Sequence, residues 1–350
     1  MRREHILVMR FSALGDVAMI VPVVYSVAMK YPSVRITVLS RPFARAFFDH
    51  LAPNVDFMSA DVKKDYKGLL GLNRLYRRLV AKQFTAVADL HSVLRSDFLR
   101  MRFNLGRFNV QHIKKNRRMR RKLIASEKKK ELRPLPTPFD NYTDVFCRLG
   151  YPIDKIQFHS IFQELPEIPE NLGLSKDSSQ QWIGVAPFAA HQGKVYPIEL
   201  MTKVLRQLTE QYPKSRIFLF GRGRQEEEQF SLWIKEMPQC FLVSQYLNSM
   251  DEELKLMSHI DVMLSMDSAN MHLSSLTATP VVSVWGATHP MAGFMGYGQS
   301  TDNVVQLDLP CRPCSIYGQK SCKYGDYHCL YNITPETIVN KITKVLTKNN

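Results

Sequence analysis

The sequence predicts an α/β protein made of two Rossmann-like domains. A short buried strand at residues 5–9 is followed by a polar loop, a helix at about 17–30 and a second strand at 34–39, which is the order of a parallel α/β unit. A second series of this kind begins with a strand at 182–186. Between the two series, residues 158–179 contain prolines and serines and lack apolar periodicity. The 350-residue chain is also longer than a single core usually needs.

The chain is therefore predicted to contain an N-terminal domain at residues 1–165, a linker at 166–179 and a C-terminal domain at 180–350. Apolar periodicity adds a strand at 84–90 to the first domain and a helix at 65–82, with Leu69, Leu72, Leu75 and Leu79 on one face. The second domain gains strands at 216–220, 261–265 and 281–285, and helices at 197–212, 226–237, 250–259, 270–276 and 335–346. The last helix is amphipathic and is a candidate to pack back on the N-terminal domain.

Much of the net charge of +15 is concentrated in one segment. Residues 114–133 contain eleven basic residues and two glutamates, a net charge of +9. The basic residues are Lys114, Lys115, Arg117, Arg118, Arg120, Arg121, Lys122, Lys128, Lys129, Lys130 and Arg133. Such a cluster attracts a polyanion, which could be an anionic membrane surface, a phosphorylated glycolipid or nucleic acid. A solvated loop without a partner is the alternative interpretation.

The sequence contains no predicted membrane span or secretory signal. The longest uncharged stretch of the predicted N-terminal domain, residues 17–29, is shorter than the roughly 18 residues that a spanning helix requires, and Pro22 interrupts it. The first apolar run, residues 6–9, has only the length of a strand. We therefore expect a cytoplasmic protein whose six cysteines do not form a disulfide scaffold.

A candidate phosphate-binding loop follows the predicted strand at 261–265. Ligands of open α/β sheets bind at the carboxyl ends of strands, and the small side chains of Ser268 and Ala269 would let a ligand approach the backbone. The free N–H groups of the next helix favour a phosphate there. The alternative is that Asp267 or Ser268 is an ordinary helix cap. Lys194, in the loop after the strand at 182–186, could neutralise a diphosphate or be a surface lysine.

Asp16 is a candidate general base, since it ends the loop after the first strand. A carboxylate there could take a proton from an attacking sugar hydroxyl, although helix capping is the alternative role. The sequence lacks a Walker A loop and an Asp-x-Asp metal clamp. Lys194 and a helix N-terminus would then stabilise a leaving diphosphate without a metal ion.

The chain resembles glycosyltransferase family 9, the ADP-heptose–lipopolysaccharide heptosyltransferases, over nearly its whole length. The motifs that carry the resemblance are Met9-Arg-Phe-Ser-Ala-Leu-Gly-Asp16, Asp89-Leu-His-Ser-Val-Leu-Arg95-Ser96, residues 187–194, Asp267-Ser-Ala-Asn-Met-His272 and residues 279–290. The resemblance implies a GT-B fold, with two Rossmann-like domains facing across a cleft. It also implies an inverting, metal-independent transfer without a cofactor.

The resemblance assigns roles to individual residues. Asp16 would be the base, and Lys194 would meet the donor phosphates. The donor loop would be Asp267, Ser268, Ala269, Asn270 and His272, while Glu226, Glu227 and Glu228 compete to bind the ribose. The acceptor would contact Arg10, Ser12, His91 and Arg95. Asn270 replaces a usual apolar residue and His91 a common glutamine, which leaves the sugar and the acceptor open.

The predicted partners are an ADP-sugar and an anionic glycolipid such as the lipopolysaccharide inner core. Residues 114–133 would dock the enzyme on the inner face of the cytoplasmic membrane, and no nucleic acid is expected. An RNA- or membrane-binding protein without transferase activity is the alternative, whereas a dehydrogenase would need a glycine fingerprint that the first strand lacks. Cys311, Cys314, Cys322 and Cys329 resemble a cluster found in part of the family, and they would bind zinc or pack as reduced thiols.

Overall fold

The computed structural model describes residues 4–348. The chain divides into two compact units: unit 1 is Met1–Lys115 with Pro136–Ile161, and unit 2 is Asn116–Leu135 with Phe162–Asn350. The sequence prediction counted the whole of residues 116–135 in the N-terminal domain, whereas the structure places this segment in unit 2. The reason is apolar packing, because Leu123 and Leu135 share a buried cluster with Ala292 and Ile316.

Unit 1 is a parallel sheet covered by helices. Its strands are β1 (His5–Met9), β2 (Arg35–Ser40), β3 (Val55–Ser59), β4 (Ala86–Asp89) and β5 (Asn109–His112), in the order β3-β2-β1-β4-β5. Its helices are α1 (Leu14–Ala18), α2 (Val21–Lys30), α3 (Gly68–Val80), α4 (Leu94–Leu105) and, after α5 (Arg117–Leu123) of unit 2, α6 (Pro138–Leu149). Every residue of β1 is buried, as expected of a central strand with helices on both faces.

Unit 2 repeats this architecture. Its strands are β6 (Trp182–Ala186), β7 (Arg216–Leu219), β8 (Cys240–Leu242), β9 (Val262–Met266), β10 (Val281–Val284) and β11 (Val304–Val305), in the order β11-β10-β9-β6-β7-β8. Its later helices are α7 (Ile198–Gln211), α8 (Arg224–Glu236), α9 (Val243–Tyr246), α10 (Met250–Ser258), α11 (Ala269–Leu276), α12 (His328–Tyr331) and α13 (Pro335–Lys348). The two α/β units confirm the predicted fold class.

Two helices differ from their predictions. The helix expected at 17–30 is split into α1 and α2, because Pro22 lies in the first turn of a new helix, where its missing N–H costs nothing. The C-terminal helix α13 packs on the sheet of unit 2, where Ile338, Ile342 and Val345 lie in the buried core. It was a candidate to pack on the N-terminal domain instead.

Short 3-10 helices occupy several loops: Pro42–Phe47, Glu127–Lys129, Glu170–Leu172, Gln192–Lys194, Pro290–Ala292 and Thr301–Asn303. Within residues 4–348, no helix is long and apolar enough to cross a membrane.

Each sheet has a switch point, where the strand order reverses. In unit 1 it lies between β1 and β4, and in unit 2 between β6 and β9. Ligands of open α/β sheets bind at the carboxyl ends of the strands on either side of such a point. The fold therefore predicts ligand binding at the loops after these four strands.

Candidate active site

In unit 1, the loop after β1 leads directly to Asp16. Helix α1 begins at Leu14, which places Asp16 in its first turn. The Asp16 Oδ2 atom accepts a hydrogen bond of 3.0 Å from the backbone N–H of Ala13. Asp16 therefore has the capping contact that the sequence offered as the alternative to a catalytic role. Its side chain is also 32% exposed, so the carboxylate remains within reach of a solute.

Arg10 forms an ion pair with the same carboxylate. Its Nη2 atom lies 2.9 Å from Asp16 Oδ2, and its side chain is only 9% exposed. Its other donors go to two carbonyl oxygens, from Nη1 to Leu90 and from Nε to Ser12. The guanidinium also lies 5.9 Å from the centre of the Tyr142 ring. The sequence prediction had Arg10 contact the acceptor, whereas the structure shows it buried against Asp16.

The loop after β4 places His91 beside the Asp16 loop. His91 is buried, and its Nε2 atom lies 3.3 Å from Ser12 Oγ. Burial, together with the positive charge of Arg10, lowers the pKa of His91 to about 3. The imidazole is therefore neutral at physiological pH. Arg95, the fourth predicted acceptor residue, is exposed in the first turn of α4.

Asp89 fixes the loop that carries His91. Its carboxylate is fully buried, and its Oδ1 atom accepts hydrogen bonds from the backbone N–H groups of His91 and Ser92, at 3.0 and 2.9 Å. Its Oδ2 atom pairs with Arg100 at 3.0 Å. Asp89 is not among the functional residues predicted from the sequence. Its signal was an acidic residue at the last position of a buried strand, where a charge survives only with partners.

In unit 2, Lys194 and Asp267 meet across the switch point. Lys194 follows β6 and Asp267 follows β9, and the Lys194 Nζ atom lies 2.9 Å from Asp267 Oδ2. The two side chains are 16% and 6% exposed. The sequence selected both residues for a diphosphate site, and the structure brings them together in a largely buried ion pair.

Gly318 allows Lys194 to take this position. Its φ angle is +80°, and a Cβ atom there would lie 2.6 Å from Lys194 Cγ. A side chain at residue 318 would therefore displace the lysine. Gly318 could not be predicted from the sequence, because no pattern in the neighbouring residues indicates that residue 318 lies against residue 194.

The predicted donor loop begins helix α11. Ser268 is the N-cap in extended conformation, and its side chain makes no cap hydrogen bond, so a simple capping role does not account for it. Ser268, Ala269 and Asn270 are partly exposed at the first turn, whereas His272 is buried one turn later. The first N–H groups of α11 are thus available at the carboxyl end of β9.

Glu226 and Glu228, two of the three competing glutamates, have different environments. Its Oε2 atom accepts a hydrogen bond of 3.0 Å from the Arg222 N–H and packs against Gly221, at the end of β7. Burial raises the pKa of Glu226. Glu228 instead forms an exposed ion pair with Arg224 at 2.8 Å.

A sequence profile described as glycosyltransferase family 9 (heptosyltransferase) matches residues 72–328. This range is more than half of the chain, and it includes Lys194, Glu226 and the loop that begins at Asp267. The chain belongs to glycosyltransferase family 9. It is therefore a glycosyltransferase, as the sequence motifs predicted.

Relatives of this family 9 enzyme support the assignment along the whole chain. It is 22% identical to lipooligosaccharide heptosyltransferase 2 of Campylobacter jejuni over 338 residues, which are 95% of this chain and 96% of the relative. A family 9 glycosyltransferase of Veillonella parvula has a TM-score of 0.76 at 19% identity, over 99% of this chain and 98% of the other. The ADP-heptose lipopolysaccharide heptosyltransferase II of Escherichia coli has a TM-score of 0.70 at 16% identity, over 99% of each chain. These two structures share the fold.

The C-terminal cysteines of the family 9 enzyme are free thiols. Cys311 Sγ lies 3.8 Å from His328 Nε2, and Cys314 Sγ lies 3.7 Å from the Ala287 carbonyl oxygen. Burial raises the pKa of Cys329 to about 12, which favours the protonated thiol. Among residues 4–348, no three His, Cys, Asp or Glu side chains are arranged to hold a metal ion.

The basic segment of the enzyme is anchored to unit 2 by some of its own charges. The Arg120 guanidinium lies 5.5 and 5.8 Å from the ring centres of Phe294 and Tyr317. The Lys130 ammonium donates hydrogen bonds to the carbonyl oxygens of Pro310 and Arg312, at 2.8 and 3.0 Å. The exposed basic residues of the segment are Lys114, Arg117, Arg118, Arg121, Lys122, Lys128, Lys129 and Arg133. Only part of the predicted charge is therefore free to meet a partner.

Proposed function

We propose that this family 9 glycosyltransferase moves a heptose from ADP-heptose to the lipopolysaccharide inner core or a related anionic glycolipid. The names of its relatives support this substrate class, since they include a lipooligosaccharide heptosyltransferase and an ADP-heptose lipopolysaccharide heptosyltransferase. The observation that carries the proposal is the Lys194–Asp267 pair beside the N-terminus of α11. Such a pair suits a leaving diphosphate.

The donor diphosphate binds Lys194 and the first N–H groups of α11. Asp267 holds the lysine ammonium in place before the donor arrives, which reduces the reorganisation that binding requires. As the bond between the anomeric carbon and the phosphate oxygen breaks, negative charge grows on the diphosphate. Lys194 and the helix N-terminus stabilise that charge, so the transfer needs no metal ion. Glu226 accepts hydrogen bonds from the ribose hydroxyls of the donor.

The acceptor hydroxyl attacks the anomeric carbon from the face opposite the diphosphate, which inverts the configuration. Asp16 takes the hydroxyl proton during this attack, as a general base. Arg10 keeps the Asp16 carboxylate in one orientation through the 2.9 Å contact. Ser12 and the neutral His91 present hydrogen-bonding groups to the acceptor, and the exposed Arg95 meets its anionic groups.

The exposed basic residues of the segment 114–133 bind the anionic acceptor or its membrane. Charged groups near an anionic surface contribute about 1 kcal/mol each, and salt weakens this attraction. We therefore propose that the enzyme works on the inner face of the cytoplasmic membrane.

A donor panel tests this function. The purified enzyme is supplied with ADP-heptose, a GDP-sugar or a UDP-sugar, with and without a delipidated inner-core oligosaccharide, and nucleotide release is measured. We expect release of ADP with ADP-heptose and acceptor together, an inverted anomeric configuration by NMR, and unchanged activity after EDTA treatment. Donor binding without turnover on any acceptor would instead favour a binding protein derived from this fold.

Replacement of Asp16 tests the assignment of the base. Asp16→Asn keeps the shape of the side chain but cannot accept the proton. We expect kcat to fall by ~10²–10⁴-fold, while the affinity for ADP, measured by calorimetry, stays nearly unchanged. Turnover close to that of the wild type would remove Asp16 from the mechanism.

A further inference from the structure

Two helices of unit 1 present large apolar side chains to solvent. Leu69 and Leu70 at the start of α3 are 68% and 88% exposed. On α4, Leu94 is 89%, Met101 50% and Leu105 73% exposed. We call these five residues the α3–α4 surface. Single exposed leucines are common, but a group on neighbouring helices marks an interaction site.

The three residues on α4 form a continuous stripe. They are spaced by seven and then four residues, which places them within about 40° of one another around a helix with 3.6 residues per turn. The core-facing side of α4 is a different one, occupied by Leu99 and Phe103. The stripe is therefore not required for the packing of unit 1.

The α3–α4 surface reaches the edge of the sheet that carries Asp16. In a parallel sheet, a helix that follows a strand begins at the carboxyl end of that strand. Helix α3 follows β3 and helix α4 follows β4, so Leu69, Leu70 and Leu94 lie at the same edge as the Asp16 loop.

Basic side chains accompany the apolar ones. Within residues 63–77 and at the start of α4, the exposed basic residues are Lys63, Lys64, Lys67, Arg74, Arg77 and Arg95, and the exposed acidic residue is Asp65. Asp97 on α4 is paired with Arg100 at 2.9 Å. Leucines flanked by lysine and arginine are typical of helices that lie in the headgroup region of an anionic bilayer.

We infer that the α3–α4 surface inserts its leucines and methionine into an anionic phospholipid bilayer. The inference rests on the proposed function in one respect, since a lipid-anchored acceptor would explain why the enzyme binds a membrane. A second copy of the chain fits this surface less well, because it would place like charges against each other and lysine is depleted from protein interfaces. At a bilayer, lysine and arginine keep their charges at the headgroups while their stems cover the apolar surface.

The docked enzyme would hold the Asp16 loop at the membrane face. The insertion contributes affinity that salt does not remove, because it depends on buried apolar area. The attraction of the basic residues falls with ionic strength. The two contributions are therefore separable by experiment.

Vesicle binding by the full-length protein tests the inference. The probes are vesicles of phosphatidylethanolamine with phosphatidylglycerol, and vesicles of phosphatidylcholine alone, in co-sedimentation at low and high salt. The test variant is Leu94→Gln/Met101→Gln/Leu105→Gln, and the matched control is Leu165→Gln/Leu232→Gln, because those leucines are 68% and 59% exposed elsewhere. We expect the test variant to lose about tenfold or more in partition onto anionic vesicles, including at high salt, and the control to bind normally.

Further measurements decide between outcomes. Circular dichroism and thermal unfolding of the test variant should match the wild type, because the stripe is outside the core. Light scattering reports the oligomeric state. Undiminished vesicle binding by the folded variant, or the loss of a dimer instead of vesicle binding, would overturn the inference. Equal binding of the wild type to phosphatidylcholine would exclude the charge requirement. No donor or acceptor is present, so a failure of the proposed transferase function leaves this test unaffected.

Discussion

At the scale of single residues, Arg10 shows how a buried cation positions a reactive carboxylate. The guanidinium contacts two carbonyl oxygens and Asp16, so each of its three nitrogen atoms has a partner. A lysine at this position has the charge but not the geometry. In the proposed mechanism, Arg10 is thus a positioning residue, which acts on the reaction through Asp16.

Arg10→Lys tests this positioning role. We expect kcat to fall by about tenfold or more with little change in the KM for the donor, because the base loses its fixed orientation. Asp16→Asn/Arg10→Lys should be no slower than Asp16→Asn alone, since Arg10 acts only through the carboxylate. Additive losses in this double-mutant cycle would show that Arg10 has an independent role.

His91 makes the stability of the protein depend on pH. Its pKa is about 3 in the folded protein against 6.5 in the unfolded chain. Below pH 6.5, His91 is protonated in the unfolded chain but stays neutral in the folded protein. The free energy of unfolding therefore falls as the pH falls towards 3. From pH 7 to pH 5, the free energy of unfolding of His91→Gln should fall by about 2 kcal/mol less than that of the wild type. Urea unfolding at the two pH values measures this difference, and equal losses would contradict the burial argument.

At the scale of elements, loops far apart in sequence build the proposed donor site. The loop after β6 brings Lys194, the loop after β9 brings Asp267, and the C-terminal loop brings Gly318 beneath the lysine. Each of these three positions depends on a different long-range contact. The backbone of the C-terminal loop is therefore part of the proposed donor site, although it supplies no charge.

Gly318→Ala tests this contact, and Gly325→Ala is its matched control. Both glycines have a φ angle of +80°, so alanine strains the backbone similarly at each. At Gly318 the new Cβ atom would also clash with Lys194, whereas no atom lies within 4 Å of a Cβ atom at Gly325. We expect weaker ADP binding in calorimetry for Gly318→Ala only. Equal weakening in both variants would attribute the effect to backbone strain.

At the scale of the whole molecule, residues 116–133 of the basic segment are a packed part of unit 2. Leu123 and Leu135 lie in a shared apolar cluster, and Arg120 packs on two aromatic rings. Arg117, Arg118 and Arg121 are exposed on the same helix. The segment therefore contains residues that hold it in place and residues that present charge.

Neutralising these two classes should have different effects. Arg117→Gln/Arg118→Gln/Arg121→Gln should weaken binding to anionic vesicles at low salt and leave thermal stability nearly unchanged. Arg120→Gln should lower the thermal stability, because the cation–π contacts are lost. Turnover on a soluble acceptor should change little in the triple variant. A collapse of that turnover would place the three arginines in the acceptor site.

The sequence by itself determined the α/β fold and the loops in which we propose the chemistry. Strand and helix periodicity are local properties, and polar residues at the ends of apolar strands mark the ligand-binding edge of a parallel sheet. Asp16, Lys194 and Asp267 could therefore be selected without a structure, and the structure pairs Lys194 with Asp267. The family assignment was available from the same motifs and is confirmed by the profile match.

Only the tertiary structure decided which residues face each other. It assigned residues 116–135 to unit 2, buried Arg10 against Asp16 and left Leu69 exposed, although the periodicity placed Leu69 on the apolar face of its helix. It also gave Glu226 a backbone hydrogen bond and Glu228 an exposed ion pair with Arg224. These outcomes depend on contacts between residues that are distant in sequence. A pattern within one segment shows which face of a helix is apolar, but only the rest of the fold determines how much of that face is covered.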